Sequence, residues 1–196
     1  RGVLEFDVVV DDAVVDLARV RAECTQGRWD AAECYRRFEG AGLQYGPTHR
    51  GIEELRLGDG VAVARLALPD EAPPTLDDYG LHPGLMDCAL QATIGLFAAK
   101  EGALALPFAL EEVQVLRRLQ ASMWAVVREV RSGGAGDRIR KMDVELCDDD
   151  GRVCVRMLGF STRSVEARPS AQGEIVAAAP VAVTAPAAGT SSSTGF

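Results

Sequence analysis

Two side chains in the stretch YGLHPGLMDCALQ, Tyr79 to Gln91, could do acid–base chemistry together: Asp87 and Gln91. On a helix, residues four apart share a face one turn apart, within reach of a hydrogen bond. A carboxylate inside an otherwise apolar run is costly unless it is paired or put to use. One reading is a carboxylic acid in a cleft, oriented by the amide of Gln91. The other is a carboxylate satisfied by the free backbone donors near a helix start. The only histidines are His49 and His82. His82, beside Pro83 and five residues before Asp87, reads as a helix-entry residue that lines or shapes a site. His49, just after YGPT, reads as a loop or strand residue. D-x-x-x-Q alone does not name a reaction.

The elements that must position these residues follow from periodicity. The segment from Pro83 to about Lys100 is the longest helical pattern. Proline stands at its first turn, and Leu85, Ala89, Leu90, Thr93, Ile94 and Phe97 recur along it. It is apolar on most sides, so a central position is expected. Before it, RWDAAECYRRFEGAG starts with a capping-box-like Asp30 and Glu33. Cys34, Tyr35 and Phe38 then share a face, and Gly40 or Gly42 is the stop. GIEELRLGDGVAVARLALP gives two strands joined at Gly58–Asp59–Gly60. After the long helix come FALEEVQVLR, SMWAVVREV, RIRKMDVELC and RVCVRMLGF, the last two joined by the turn signal DDDG. In the third, Met142, Val144 and Leu146 alternate with Lys141, Asp143 and Glu145. An antiparallel sheet wrapped on one long buried helix is expected, an α+β arrangement.

Composition sets the bounds. A chain of 196 residues suits one domain with flanks. The 21 Lys and Arg against 29 Asp and Glu leave a net charge of -8, which lacks the electrostatic footprint of a nucleic-acid binder. Five cysteines without a C-x-x-C pair, set in apolar segments, read as buried thiols of a reducing cytosol and not as a zinc site. No apolar run reaches membrane-spanning length. From about Ser164 the chain turns to Ala, Pro, Ser, Thr and Val without a period, so residues 165–196 read as a disordered linker after a domain over 1–164. The strand-like opening RGVLEFDVVV has no lead-in, and both ends read as cut.

Several motifs occur together and in register: CYRRFEGAGLQYGP, LQYGPTHRGIEEL, LHPGLMDCALQ, LPFALEEVQVL and DVELCDDDGRVCVRMLGFSTR. Over roughly residues 10 to 164 the sequence resembles the dehydratase domain of modular polyketide synthases, specifically its C-terminal half. The style of SMWAVVR and CVRMLGFSTR is most similar to assembly lines whose acyltransferase is a separate protein. The resemblance implies a double hot-dog fold, in which each unit is a long helix wrapped by an antiparallel sheet. In the family, the N-terminal unit brings a histidine from H-x-x-x-G-x-x-x-x-P, and the C-terminal unit brings the aspartate of H-P-x-x-x-D.

Asp87 matches that aspartate and Gln91 the position that steadies it. The implied substrate is a β-hydroxyacyl chain on the phosphopantetheine of an acyl carrier protein, with no intrinsic cofactor or metal. The histidine takes the α-proton and the aspartic acid helps the β-hydroxyl leave as water. The resemblance further implies a substrate tunnel bordered by Tyr45, Gly46 and Pro47, with Gly46 allowing an unusual backbone angle and Pro47 fixing the next. His82 and Pro83 at the helix entry, and Pro107 and Phe108 of LPF, join that lining. Neither His49 nor His82 stands in the base motif, so the base is expected from a partner N-terminal half. The other expected partners are the carrier protein and a second copy within a dimeric synthase. Two readings compete with dehydration. The first is a non-catalytic unit that binds carrier protein or props a neighbour; the second is double-bond shift or cyclisation on the same fold.

Overall fold

The computed structural model describes residues 12–69, 76, 79–97, 104–130 and 139–165. The strand-like opening lies outside them. So does the expected linker, apart from Val165, which ends the last strand.

The helices begin where side chains can replace missing backbone partners. Asp16 accepts the Arg19 amide at 2.9 Å and opens α1, Leu17–Glu23. This helix buries only Val20, too little to make a periodic stripe, and sequence patterning passed over it. Asp30 accepts the Glu33 amide at 2.8 Å and opens α2, Ala31–Gly40, as the capping-box spacing foresaw. Its buried face is Cys34, Tyr35 and Phe38, and Gly42 leaves it with φ +84°. The residues just before it, Gly27–Asp30, form a short edge strand, β1, and not a first turn of helix.

The two hairpins turn where glycine can take positive φ. β2, Ile52–Leu57, passes through Gly60 at φ +68° into β3, Val61–Ala67. Gly151 at φ +80° closes the turn between β7, Ile139–Cys147, and β8, Val153–Val165. With β4, Leu104–Ala109, β5, Glu112–Val115, and β6, Ser122–Val130, they complete one antiparallel sheet. Its order is β1-β2-β3-β6-β7-β8-β4, and β5 also pairs with β8. Met142, Val144 and Leu146 face the core, as their alternation foresaw. This is the expected α+β hot-dog arrangement.

The sheet curls around α3, Pro83–Gln91, with Pro83 at its first position. The α-helix is shorter than its apolar pattern suggests. From Ala92 to Phe97 the chain tightens into a 3₁₀ helix. The reason is the distance to the sheet: a Cβ on Gly95 would lie 2.9 Å from the Ala62 methyl and 2.9 Å from a Leu57 methyl. Thr93, which hydrogen-bonds the Leu90 carbonyl at 2.7 Å, and Gly95 are also weak α-helix formers. Residues 98–100, the expected end of the helix, lie outside the described residues. The helix buries Leu85, Cys88 and Ala89 against the sheet. Burying a leucine side chain fully contributes about 1.5–3 kcal/mol.

At the β4–β5 side of the sheet Leu106, Phe108, Leu110, Val113 and Val115 are exposed. A run of apolar side chains of this kind is unusual on a monomer. The chain on its own should therefore self-associate, and a monodisperse monomer by light scattering would contradict this. A second outcome tests the packing under α3. A Cβ on Gly51 would lie 2.5 Å from the Ala67 carbonyl oxygen and 2.8 Å from Cys88 Sγ. Gly51→Ala should lower stability by about 1–3 kcal/mol, measured by urea denaturation.

Candidate active site

Asp87 lies halfway along α3, half-buried, and its carboxylate Oδ2 accepts from Gln91 Nε2 at 2.8 Å. The pair foreseen from spacing is therefore made. Gln91 is buried and its Nε2 also donates to the backbone carbonyl of His49 at 2.9 Å. That carbonyl belongs to a 3₁₀ turn, Pro47–His49, that packs beside α3. On the other side of Gln91, the Tyr35 hydroxyl donates to Oε1 at 3.3 Å and lies 3.4 Å from the His49 carbonyl. The Tyr35 oxygen accepts the Ile52 amide at 3.0 Å. One buried polar knot thus joins α2, the 3₁₀ turn, β2 and α3.

Beside the knot is a cavity of about 170 Å³. Asp87 and Gln91 form its polar end. Phe38, Leu43, Ile94 and Phe160 give it apolar walls, and Tyr45 and Pro107 border it. Burial first, and then the charge of Asp87, pushes the Tyr45 hydroxyl up to about 12, so it faces the cavity as a neutral donor. Edge-on contacts fix its ring, with centroids 4.9 Å from Phe38 and 6.3 Å from Tyr35. The lining suits a mainly apolar group carrying an oxygen function near Asp87.

Other residues expected at a tunnel wall are placed elsewhere. Gly46 has φ -71° and ψ 165°, extended backbone open to any residue, so its special angle is not used. Pro47 starts the 3₁₀ turn and sets its φ, outside the cavity. Pro83 is exposed at the first position of α3. His82 is the N-cap of that helix, 4% exposed, with its ring edge-on to Tyr79 at 6.0 Å, and it does not line the cavity. Burial, then the neighbouring His49, lowers its pKa below the ordinary histidine value, so it stays neutral at physiological pH. Phe108 is 58% exposed. The register with β8 slips between Pro107 and Ala109, so Phe108 is the extra residue of a bulge and is turned outward. His49 acts through its main chain; its imidazole Nδ1 lies 3.0 Å from Thr48 Oγ1.

Tyr35, the His49 carbonyl, Phe160 and Thr162 were not foreseen as site residues. A backbone acceptor has no residue type, so no motif could mark it. Tyr35 was marked only as part of the buried face of α2.

The Polyketide synthase dehydratase N-terminal domain model matches residues 12–172. The chain belongs to the polyketide synthase dehydratase family. Polyketide synthase PksN of Bacillus subtilis (strain 168) is 39% identical over 175 residues, covering 85% of this chain and 3% of that protein. Polyketide synthase ThaG of Burkholderia thailandensis is 42% identical over 149 residues, covering 74% of this chain and 3% of that protein. Among solved structures, a trans-AT polyketide synthase dehydratase domain from Brevibacillus brevis superposes with a TM-score of 0.74 at 38% identity, covering 79% of this chain and 54% of that one. The dehydratase domain of the CurF module of curacin polyketide synthase does so with a TM-score of 0.70 at 30% identity, covering 80% and 54%. The chain thus spans about half of each solved domain and a small part of each synthase. The family description names an N-terminal domain, which differs from the C-terminal half expected from H-P-x-x-x-D.

The chain carries three fully buried thiols whose pKa burial raises strongly: Cys88 to about 11, and Cys34 and Cys147 to about 12. An unfolded thiol ionises near 9. Above that pH the unfolded state sheds protons that the folded state keeps, so stability falls as pH rises. The urea midpoint should drop between pH 9 and 11. Replacing Cys34, Cys88 and Cys147 by alanine should shrink the drop, leaving the part due to groups such as Cys154 and Tyr45, whose pKa burial also raises, and an equal slope in that variant would contradict the assignment.

Proposed function

We propose that this chain is the aspartate-bearing, C-terminal half of a polyketide synthase dehydratase. Its reaction removes water from a β-hydroxyacyl thioester on an acyl carrier protein and gives the α,β-unsaturated thioester. The observation that carries the reading is Asp87, held by Gln91 at the polar end of an apolar cavity. Among the relatives, one curacin dehydratase is described as an inactive mutant when an aspartate is replaced by asparagine, and again when a histidine is replaced by phenylalanine. This supports a two-residue site to which Asp87 contributes the acid. It also favours the C-terminal assignment, because H-P-x-x-x-D is present here around Asp87 and the base motif is not.

In the proposed step the partner half's histidine takes the α-proton, made acidic by the thioester carbonyl. Asp87 gives its proton to the β-hydroxyl, the C–O bond breaks, and the carbon–carbon double bond forms as water leaves. Asp87 is then a carboxylate, and the Gln91 amide stabilises it; a hydrogen bond to a charged group contributes about 1.5–3 kcal/mol. The acyl chain lies along Phe38, Leu43 and Phe160 while its phosphopantetheine arm leads back to the carrier protein. The step calls for no cofactor resident in the protein. The likeness to a trans-AT dehydratase supports placing the chain in an assembly line with a separate acyltransferase, where it would act within a dimeric synthase. Retention of Asp87 favours water loss over double-bond shift or a purely structural role.

In the intact dehydratase, Asp87→Asn should lower water loss from a β-hydroxyacyl carrier substrate by about 10²-fold or more. Unchanged turnover would refute the acid assignment. An H-x-x-x-G-x-x-x-x-P segment encoded just upstream would support the C-terminal assignment, and a domain of unrelated type there would overturn it.

A further inference from the structure

Gln91 can steady Asp87 only if its amide is the right way round. The two ends of the group are nearly equal in shape and opposite in polarity. Two of its three neighbours, the Asp87 carboxylate and the His49 carbonyl, are acceptors, at 2.8 and 2.9 Å from Nε2. With both protons of Nε2 committed, Oε1 needs a donor from the other side. The described residues supply the Tyr35 hydroxyl, 3.3 Å away. That hydroxyl is itself directed. Its oxygen accepts the Ile52 amide at 3.0 Å, and its single proton has two acceptors in reach: Oε1 at 3.3 Å, and at 3.4 Å the His49 carbonyl, which already accepts from Gln91 Nε2. The ring is held by the buried face of α2, by Phe38 at 6.1 Å between centroids, and by Arg50, whose guanidinium lies 5.2 Å from the ring centroid. Tyr35 does not line the cavity and so does not touch substrate.

We infer that Tyr35 is a positioning residue of the dehydratase site: through its hydroxyl it fixes the amide polarity of Gln91, so that Nε2 and not Oε1 faces Asp87. The inference rests on the proposed acid role of Asp87. Without the hydroxyl, Oε1 has no donor among the described residues and the amide turns more freely. In the turned state an oxygen faces the carboxylate that forms as the proton leaves, and the two repel. The cost falls on the chemical step, since nothing in the binding of the acyl chain changes.

The test is a double-mutant cycle in the intact dehydratase with a β-hydroxyacyl carrier substrate. Tyr35→Phe should lower kcat about tenfold, the scale of one lost hydrogen bond to a charged system, and leave KM nearly unchanged. Gln91→Leu should lower kcat at least as much. In the Gln91→Leu background, Tyr35→Phe should cost no further kcat, because the group it acts through is gone. A purely structural tyrosine would instead lower thermal stability and kcat by the same factor in both backgrounds, and that additive result would overturn the inference. Amide exchange in the wild-type protein gives a second measurement that needs no variant to fold. Both side-chain amide protons of Gln91 should exchange slowly by NMR, and fast exchange would overturn the orientation described. Asp87→Asn separates the two readings. If it abolishes turnover and the cycle is additive, only the role of Tyr35 fails. If it leaves turnover unchanged, the acid assignment fails, and the exchange rate still reports whether Nε2 faces Asp87 and the His49 carbonyl.

Discussion

A helix can lie in the hollow of a curled sheet only where its contact residues are small enough to let the backbones meet. Here that closeness is bought by Gly95 over Ala62 and Leu57, and by Gly51 under Cys88. Everything that concerns the site hangs on it. Close approach turns the end of the helix into a 3₁₀ segment, brings the Pro47–His49 turn alongside α3, and sets Gln91 among three groups from three different elements. A bulkier contact would move α3 and carry Gln91 away from the His49 carbonyl and the Tyr35 hydroxyl.

The knot also explains how a carboxylic acid can sit in so apolar a setting. Asp87 itself is only half-buried and opens on the cavity. The fully buried polar group beside it is neutral, an amide whose donors and acceptor all find partners. The cost of burying polarity is thus moved from a charge to a dipole. A satisfied dipole in a core is rigid, because each hydrogen bond lost there would leave a partner unpaired.

What could be read from the sequence divides along the same physical line. Features that depend on side-chain type at fixed spacing were legible: the Asp30–Glu33 cap, the glycine turns at Gly60 and Gly151, the alternation of Met142, Val144 and Leu146, and the Asp87–Gln91 pair. Features set by tertiary distance were not. The helix around Thr93 and Gly95 kept an apolar period but was tightened by the sheet. Gly46 looked like a site for an unusual angle and adopts an ordinary one. The His49 carbonyl and the Tyr35 hydroxyl reach Gln91 from 42 and 56 residues away along the chain, and one of them is main chain, so no local pattern could bring them together.

The bulge at Phe108 marks where the cavity wall of β4 ends. Strand faces alternate with a period of two, so one extra residue decides which side chains after it turn inward. In β4 that residue separates Pro107, which borders the cavity, from Ala109, which has already resumed pairing with Ser161. Only Ala109 follows it in the strand, while the two β4 residues that line the cavity, Leu106 and Pro107, come before it. The cavity wall is therefore set before the extra residue, and the bulge turns the Phe108 ring outward, where it adds to the exposed apolar face, without disturbing the lining.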